Sequence, residues 1–67
     1  MNPAQFKEAI AKLGLSQVRA GLWLGRDRRT GQRYAARNGT VDPTAAKLIK
    51  LALALGLTAD EVDELVE

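Results

Sequence analysis

Apolar residues recur along this chain at intervals of three and four, which is the spacing of helices that bury one face. In the first such segment, the residues that share a face are Phe6, Ala9, Ile10 and Leu13. Capping residues and glycines divide the chain into five segments that each have the length of a short helix. None of them has the convincing pattern of a strand. The pattern therefore predicts an all-α fold, a compact five-helix domain.

The helix boundaries are predicted from local chemistry. Each helix follows a residue whose side chain can cap it, in the order Asn2, Ser16, Asp27, Asp42 and Thr58. A proline follows two of these caps at the first helical position, and a Gln or Glu completes a capping box at two of them. Glycines end the first, second and fourth helices. The predicted helices cover residues 3–13, 17–24, 28–37, 43–55 and 59–66.

The third helix separates into two sides when its residues are placed at helical intervals. Arg28, Arg29, Gln32, Arg33 and Ala36 fall within an arc of about 140°. The opposite side, which we expect to be buried, holds Thr30, Gly31 and Tyr34. The third helix is thus predicted to expose three arginines and a glutamine together.

Two glycines affect how the second and third helices are expected to pack. Gly21 costs about 1 kcal/mol of helix propensity relative to alanine, and it lets another helix backbone approach closely. Gly31 lies on the buried side of the third helix, where it removes core volume and loosens that helix. We expect Trp23 to fill the space. An alternative is that RRTGQRY forms a hairpin that turns at Thr30-Gly31.

The last two helices differ in how much apolar surface they carry. Apolar residues surround almost the whole fourth helix, which predicts a central helix or one that also meets a second subunit. Lys47 and Lys50 mark its polar edge. In the last helix, Val62, Leu65 and Val66 are expected to lie on the core.

Composition narrows the chemistry that this chain can perform. Its 67 residues indicate one small domain, covering residues 1–67, and they include no cysteine and no histidine. With no carboxylate pair outside the C-terminal tail, we expect no enzymatic activity, no cofactor and no metal site. The N-terminus does not resemble a signal peptide, and the densest apolar stretch, 48–57, falls short of the roughly 20 residues that span a bilayer. We therefore expect a cytoplasmic protein.

Charge is distributed unevenly along the chain. All ten Lys and Arg residues lie within residues 1–57, whereas five of the eight acidic residues lie within 58–67. A basic body with an acidic tail suggests that the body binds a polyanion and that the tail is solvated or faces a partner. The alternative is that both are ordinary solvated faces.

The segment Leu15–Gly25, LSQxxAGxxLG, followed by RRTxxRY at Arg28–Tyr34, resembles the lambda-repressor-like (Cro/repressor-type) helix-turn-helix domains. The resemblance covers essentially the whole chain, with one helix before the two and two after. It implies that the third helix enters the major groove of DNA. The chain departs from the family pattern at Arg26, where an apolar residue is usual, at Gly31, which replaces a β-branched residue, and at Arg37, near the usual glycine stop.

We therefore expect sequence-specific binding of double-stranded DNA by a small transcriptional regulator. Phosphate contacts from Arg19, Arg26, Arg37, Lys47 or Lys50 would add to base contacts from the third helix. The alternative is a helical protein-interaction module that uses the fourth helix and the acidic last helix. A homodimer that forms through these two helices is a further alternative. We expect no membrane association and no small-molecule ligand. The predicted DNA-binding residues are Ser16, Gln17, Arg26, Arg28, Arg29, Gln32, Arg33 and Arg37.

Overall fold

Five α-helices and no strand make up the fold in a computed structural model that describes residues 1–67. The helices are α1 (Pro3–Leu13), α2 (Gln17–Trp23), α3 (Arg28–Ala35), α4 (Pro43–Ala54) and α5 (Ala59–Val66). The all-α prediction is confirmed. The hairpin alternative is wrong, because Thr30 and Gly31 lie inside α3.

The predicted caps begin all five helices. At α1, the side chain of Asn2 accepts a hydrogen bond from the Gln5 backbone at 2.8 Å, and the Gln5 side chain accepts one from the Asn2 backbone at 2.9 Å. Thr58 and Glu61 form the same reciprocal box at α5. Gly14 ends α1 in the left-handed conformation, with φ of 79°. Each helix start is thus determined by residues close to it in sequence.

The third helix ends two residues earlier than predicted, at Ala35 rather than Arg37. Ala36 is extended, with ψ of 154°, and its carbonyl accepts a hydrogen bond from the backbone of Gly39 at 2.8 Å. This turn folds back over the end of α3 so closely that a Cβ on Gly39 would overlap the Arg33 carbonyl oxygen. α2 and α4 also end one residue earlier than predicted, at Trp23 and Ala54.

The core lies where α1 packs against α3 and α4. Phe6, Leu13 and Ile49 are its largest fully buried side chains. The ring of Phe6 meets Tyr34 of α3 edge to face, with centroids 5.6 Å apart and planes at 81°. No buried side-chain nitrogen or oxygen lacks a hydrogen-bond partner. Aromatic packing of this kind fixes the inner side of α3 on α1.

The sequence predicts that the fourth helix is either central or also meets a second subunit. The helix buries only one of its faces, so it is not central. Ala45, Ala46, Ile49 and Ala52 are buried, whereas the leucines on a neighbouring side of the helix are exposed.

The end of the chain packs less than expected. Ala59 is buried and Val62 is half-buried, but Leu65 and Val66 are 71% and 75% exposed, so the prediction that both lie on the core is wrong. α5 is joined to α2 through the Trp23 indole, whose Nε1 donates to Asp63 Oδ1 at 2.9 Å. Its contacts come from its first turns, and the last turn lies in solvent. No helix in the fold has both the length and the apolar character needed to cross a membrane.

Candidate nucleic-acid interface

The exposed basic side of α3 is held in position by a close crossing of α2 and α3. Gly21 and Gly31 face each other at this crossing. A Cβ on Gly31 would overlap the carbonyl oxygen of Gln17 and lie 2.8 Å from the Gly21 nitrogen. A Cβ on Gly21 would overlap the carbonyl oxygen of Asp27 and lie 2.7 Å from the Gly31 nitrogen. The prediction that Gly21 allows a close backbone approach is confirmed.

The expected gap at Gly31 does not exist, because the backbone of α2 occupies it. Trp23 was expected to fill that space, and this expectation is wrong. Its half-buried side chain instead lies beside α5 and donates its hydrogen bond to Asp63. With backbone against backbone, no flexible side chain separates the two helices, so α3 is held rigidly on α2.

Asp27 joins the turn before α3 to the first turn of that helix. Its Oδ1 accepts hydrogen bonds from both the backbone nitrogen and the Oγ1 of Thr30, each at 2.8 Å. Thr30 is the one buried polar residue of the chain, and this bond satisfies its hydroxyl. The two hydrogen bonds lower the pKa of the Asp27 carboxyl, and the positive charge of Arg33 lowers it further.

The lowered pKa of Asp27 gives the domain a pH dependence of stability. Because this pKa is below its ordinary value of 3.8 in the folded chain, the unfolded chain takes up the proton first as the pH falls. The stabilising contribution is therefore complete above the ordinary pKa and is lost as the pH falls through the folded-state pKa. We expect Asp27→Asn to show a shallower loss of stability than the wild type from roughly pH 5 to pH 2.

Urea unfolding at several pH values, followed by circular dichroism, measures this difference. Glu61→Gln serves as a comparison, since hydrogen bonds from Thr58 also lower the pKa of Glu61. It should remove a separate part of the same decline. An Asp27→Asn profile parallel to that of the wild type would contradict the role given to this carboxylate.

The outer side of α3 is the basic surface that the sequence predicts. Thr30, Gly31, Tyr34 and Ala35 are buried. The opposite side exposes Arg28, Arg29, Gln32 and Arg33, and we call these four residues the α3 arc. The single ion pair of the chain joins Lys12 and Glu8 on α1, at 3.6 Å. No arginine of the arc forms an ion pair, and the charge of Asp27 acts on Arg33 only at longer range, so the arginine donors face solvent.

Four of the predicted DNA-binding residues lie outside the arc, two at the start of α2 and one in the turn on either side of α3. Ser16 and Gln17 begin α2, and the contact of the Gln17 carbonyl with Gly31 brings this first turn against the middle of α3. Ser16 Oγ caps α2 by accepting from the Arg19 backbone at 3.1 Å. Both side chains are exposed, as are Arg26 in the turn before α3 and Arg37 in the turn after it. Arg37 is not helical, so it extends the basic surface without belonging to the arc.

The further phosphate candidates from the sequence do not share one surface. Arg19 lines a hollow of about 300 Å³ between α2 and α5, together with Asp60 and Asp63. Acidic residues therefore surround it, which disfavours a phosphate there. Lys47 and Lys50 line a separate hollow on α4.

Sequence reasoning missed two residues that shape this interface. The buried hydroxyl of Thr30 anchors the cap of α3, and Gly39 allows the chain to fold over the end of that helix. The spacing of Asp27 and Thr30 could have indicated the first, since a cap bonds to the third helical residue. Nothing in the helical spacing indicates how close Gly39 lies to the Arg33 carbonyl.

The surface around α3 is basic and offers no set of metal ligands. No group of three or more acidic side chains anywhere in the chain is arranged to hold a metal ion. Comparison of the chain with known protein families, curated proteins and solved structures gives no match. Any function assigned to the α3 arc therefore follows from the residues and distances of this chain.

Proposed function

We propose that this protein is a lambda-repressor-like helix-turn-helix domain that binds double-stranded DNA sequence-specifically, as a small transcriptional regulator. In this proposal α2 and α3 form the helix-turn-helix, and α3 enters the major groove. The observation that supports it most is the α3 arc: three arginines and a glutamine, exposed, free of ion pairs and carried by a helix braced on α2 and α1.

The side chains of the arc match the chemistry of base edges. The fork of donors on arginine fits guanine O6 and N7, and the amide of glutamine fits adenine N6 and N7. From Arg28 to Arg33 the helix rises about 7.5 Å, which is roughly two base-pair steps. An arc of this length would contact a few neighbouring bases.

The residues around the arc would position the helix through phosphates. The Ser16 hydroxyl and the Gln17 amide are exposed at the start of α2, where the Gln17 backbone contacts the middle of α3. Arg26 and Arg37 lie just beyond the two ends of α3 and carry unpaired positive charge. Contacts to phosphates fix the register of a protein on the duplex, and base contacts then select the sequence.

Binding should depend strongly on salt, because neutralising phosphates releases counterions. If about four to six phosphates are contacted, log affinity should fall with log salt at a slope near −4 to −5. We would first select bound sites from random duplexes, then measure affinity by fluorescence anisotropy at several salt concentrations. A scrambled duplex of the same composition is the control for specificity. Absence of binding, or affinity equal for both duplexes, would reject the proposal.

A second candidate function is a helical protein-interaction module. The observation that favours it is the exposed apolar surface on α4 and at the end of α5, next to acidic residues. In that case the arginines only solvate the surface. This candidate predicts a tight protein partner and no retardation of any duplex in a gel, so the DNA titration distinguishes the two.

A further inference from the structure

The last helix packs loosely against the rest of the domain. Ala59 is its only buried residue, and Val62 is half-buried. Two hollows, of about 300 Å³ and 490 Å³, lie between the start of α5 and the side of the domain formed by α2 and the turn before it. By contrast, α2 and α3 meet backbone to backbone.

One hydrogen bond joins α5 to the body of the domain. Trp23 Nε1 donates to Asp63 Oδ1 at 2.9 Å, across 40 positions of the sequence. No other side-chain hydrogen bond and no ion pair connects residues 58–67 with residues 1–57. The cap of α5 is made within the segment, between Thr58 and Glu61, so it does not hold the helix to its neighbours.

The helix also has little stability of its own. It contains eight residues, whereas isolated helices shorter than roughly 12 to 15 residues are marginal in water. Its last turn carries no basic residue, and Glu64 and Glu67 lie near the negative end of the helix dipole. Residues 58–67 should therefore lose their helical structure when they leave α2.

We infer that residues 58–67 form a strap that opens as one unit while the rest of the domain stays folded, and that the Trp23–Asp63 hydrogen bond holds it closed. Segments that bury little apolar surface open at a lower free energy than the whole domain. Ala59 is the only core residue that α5 contributes, and the largest fully buried side chains all lie outside the strap. The core can thus remain in place during opening.

Opening changes two features of the surface. It releases an acidic tail with five carboxylates, and it uncovers the Trp23 indole. Trp23 is the last residue of α2, directly before the turn that leads into α3. The strap therefore fastens the end of the helix pair that carries the α3 arc. Its opening is a property of the free chain and does not depend on DNA binding.

Amide hydrogen exchange followed by NMR measures this opening. The amides of Val62 and Leu65 should exchange with the same opening constant, at least about tenfold larger than that of Ile10 in α1. The Val62 amide donates to the Thr58 carbonyl at 3.0 Å, in the first turn of α5. Fraying of the C-terminal end alone would leave Val62 protected, so exchange of Val62 as slow as that of Ile10 would overturn the inference.

Substitutions of Asp63 test the bond that closes the strap. Asp63→Ala removes the acceptor and should raise the opening constant at Val62 about fivefold, which corresponds to the roughly 1 kcal/mol of one hydrogen bond. Asp63→Asn keeps an oxygen acceptor and should recover most of this loss. Asp63 is exposed, so circular dichroism should show that both variants remain folded.

Glu64→Ala is the matched control for Asp63→Ala. It removes the same charge from the next position of α5, which is exposed and forms no ion pair, so the opening constant should stay within about twofold of the wild type. Equal effects of the two alanine variants would contradict the role given to the Trp23 bond. An Asp63→Ala variant in which Ile10 exchanges faster by the same factor as Val62 would show that the strap opens only with the whole domain.

Discussion

Replacing Gly31 with alanine is expected to lower the free energy of unfolding by about 3 kcal/mol, enough to unfold much of a domain this small. The added Cβ would overlap the carbonyl oxygen of Gln17. That atom belongs to the α2 backbone, so a side-chain rotation cannot relieve the overlap. Helix propensity alone predicts the opposite sign, a gain of about 1 kcal/mol for alanine inside a helix.

Urea unfolding followed by circular dichroism would decide between these two effects. Gly25→Ala is the control, because a Cβ on Gly25 meets no atom within 4 Å, while its φ of 76° is unfavourable for alanine. It should cost about 1 kcal/mol from backbone strain alone. A Gly31→Ala variant as stable as the wild type would show that α2 and α3 do not touch at this point.

Removing Arg28 and Arg33 together is expected to weaken binding of the selected duplex at least about thirtyfold. Each arginine that contacts a base edge contributes about 1 to 3 kcal/mol. Both side chains are exposed and unpaired, so their loss should change stability by less than about 0.5 kcal/mol. Anisotropy titrations at fixed salt measure the change in affinity.

The matched control for this double variant is Lys7→Ala combined with Lys12→Ala. It removes the same number of positive charges from exposed positions on α1, outside the α3 arc, and the exposed Lys12–Glu8 ion pair that it breaks contributes at most about 1 kcal/mol to stability. If only net charge matters, the two double variants should bind equally weakly, and the proposed role of the arc would be rejected. If the arc reads bases, the arginine variant should also lose its preference for the selected duplex over the scrambled one.

The features that the sequence predicted best depend on interactions between near neighbours. All five caps were identified because a cap and its backbone partner are two or three residues apart. The buried and exposed sides of α3 also follow from helix geometry alone. Thr30, Gly31 and Tyr34 are buried, and the arc is exposed, as predicted.

The features that the sequence missed depend on distances between segments. From the sequence alone, a glycine on the buried side of a helix indicates missing core volume. The gap predicted at Gly31 is absent because the α2 backbone occupies that space, and the position of α2 is not evident from the sequence. Leu65 and Val66 have the right spacing for a buried face. They lie on the last turn of α5, however, and that turn is in solvent. The early end of α3 results from the close approach of Gly39, which periodicity does not encode.

The division of α3 into two sides has a consequence for how this protein can change. The inner residues are limited by backbone overlap, by the bond to Asp27 and by the Phe6 ring, so nearly every substitution there affects folding. The side chains at the four outer positions make no hydrogen bond or ion pair within the chain, so these positions can vary with little effect on stability. Most variants in a library randomised at those positions should therefore remain folded. The outer surface of α3 can then evolve without changes to the residues that hold the fold together.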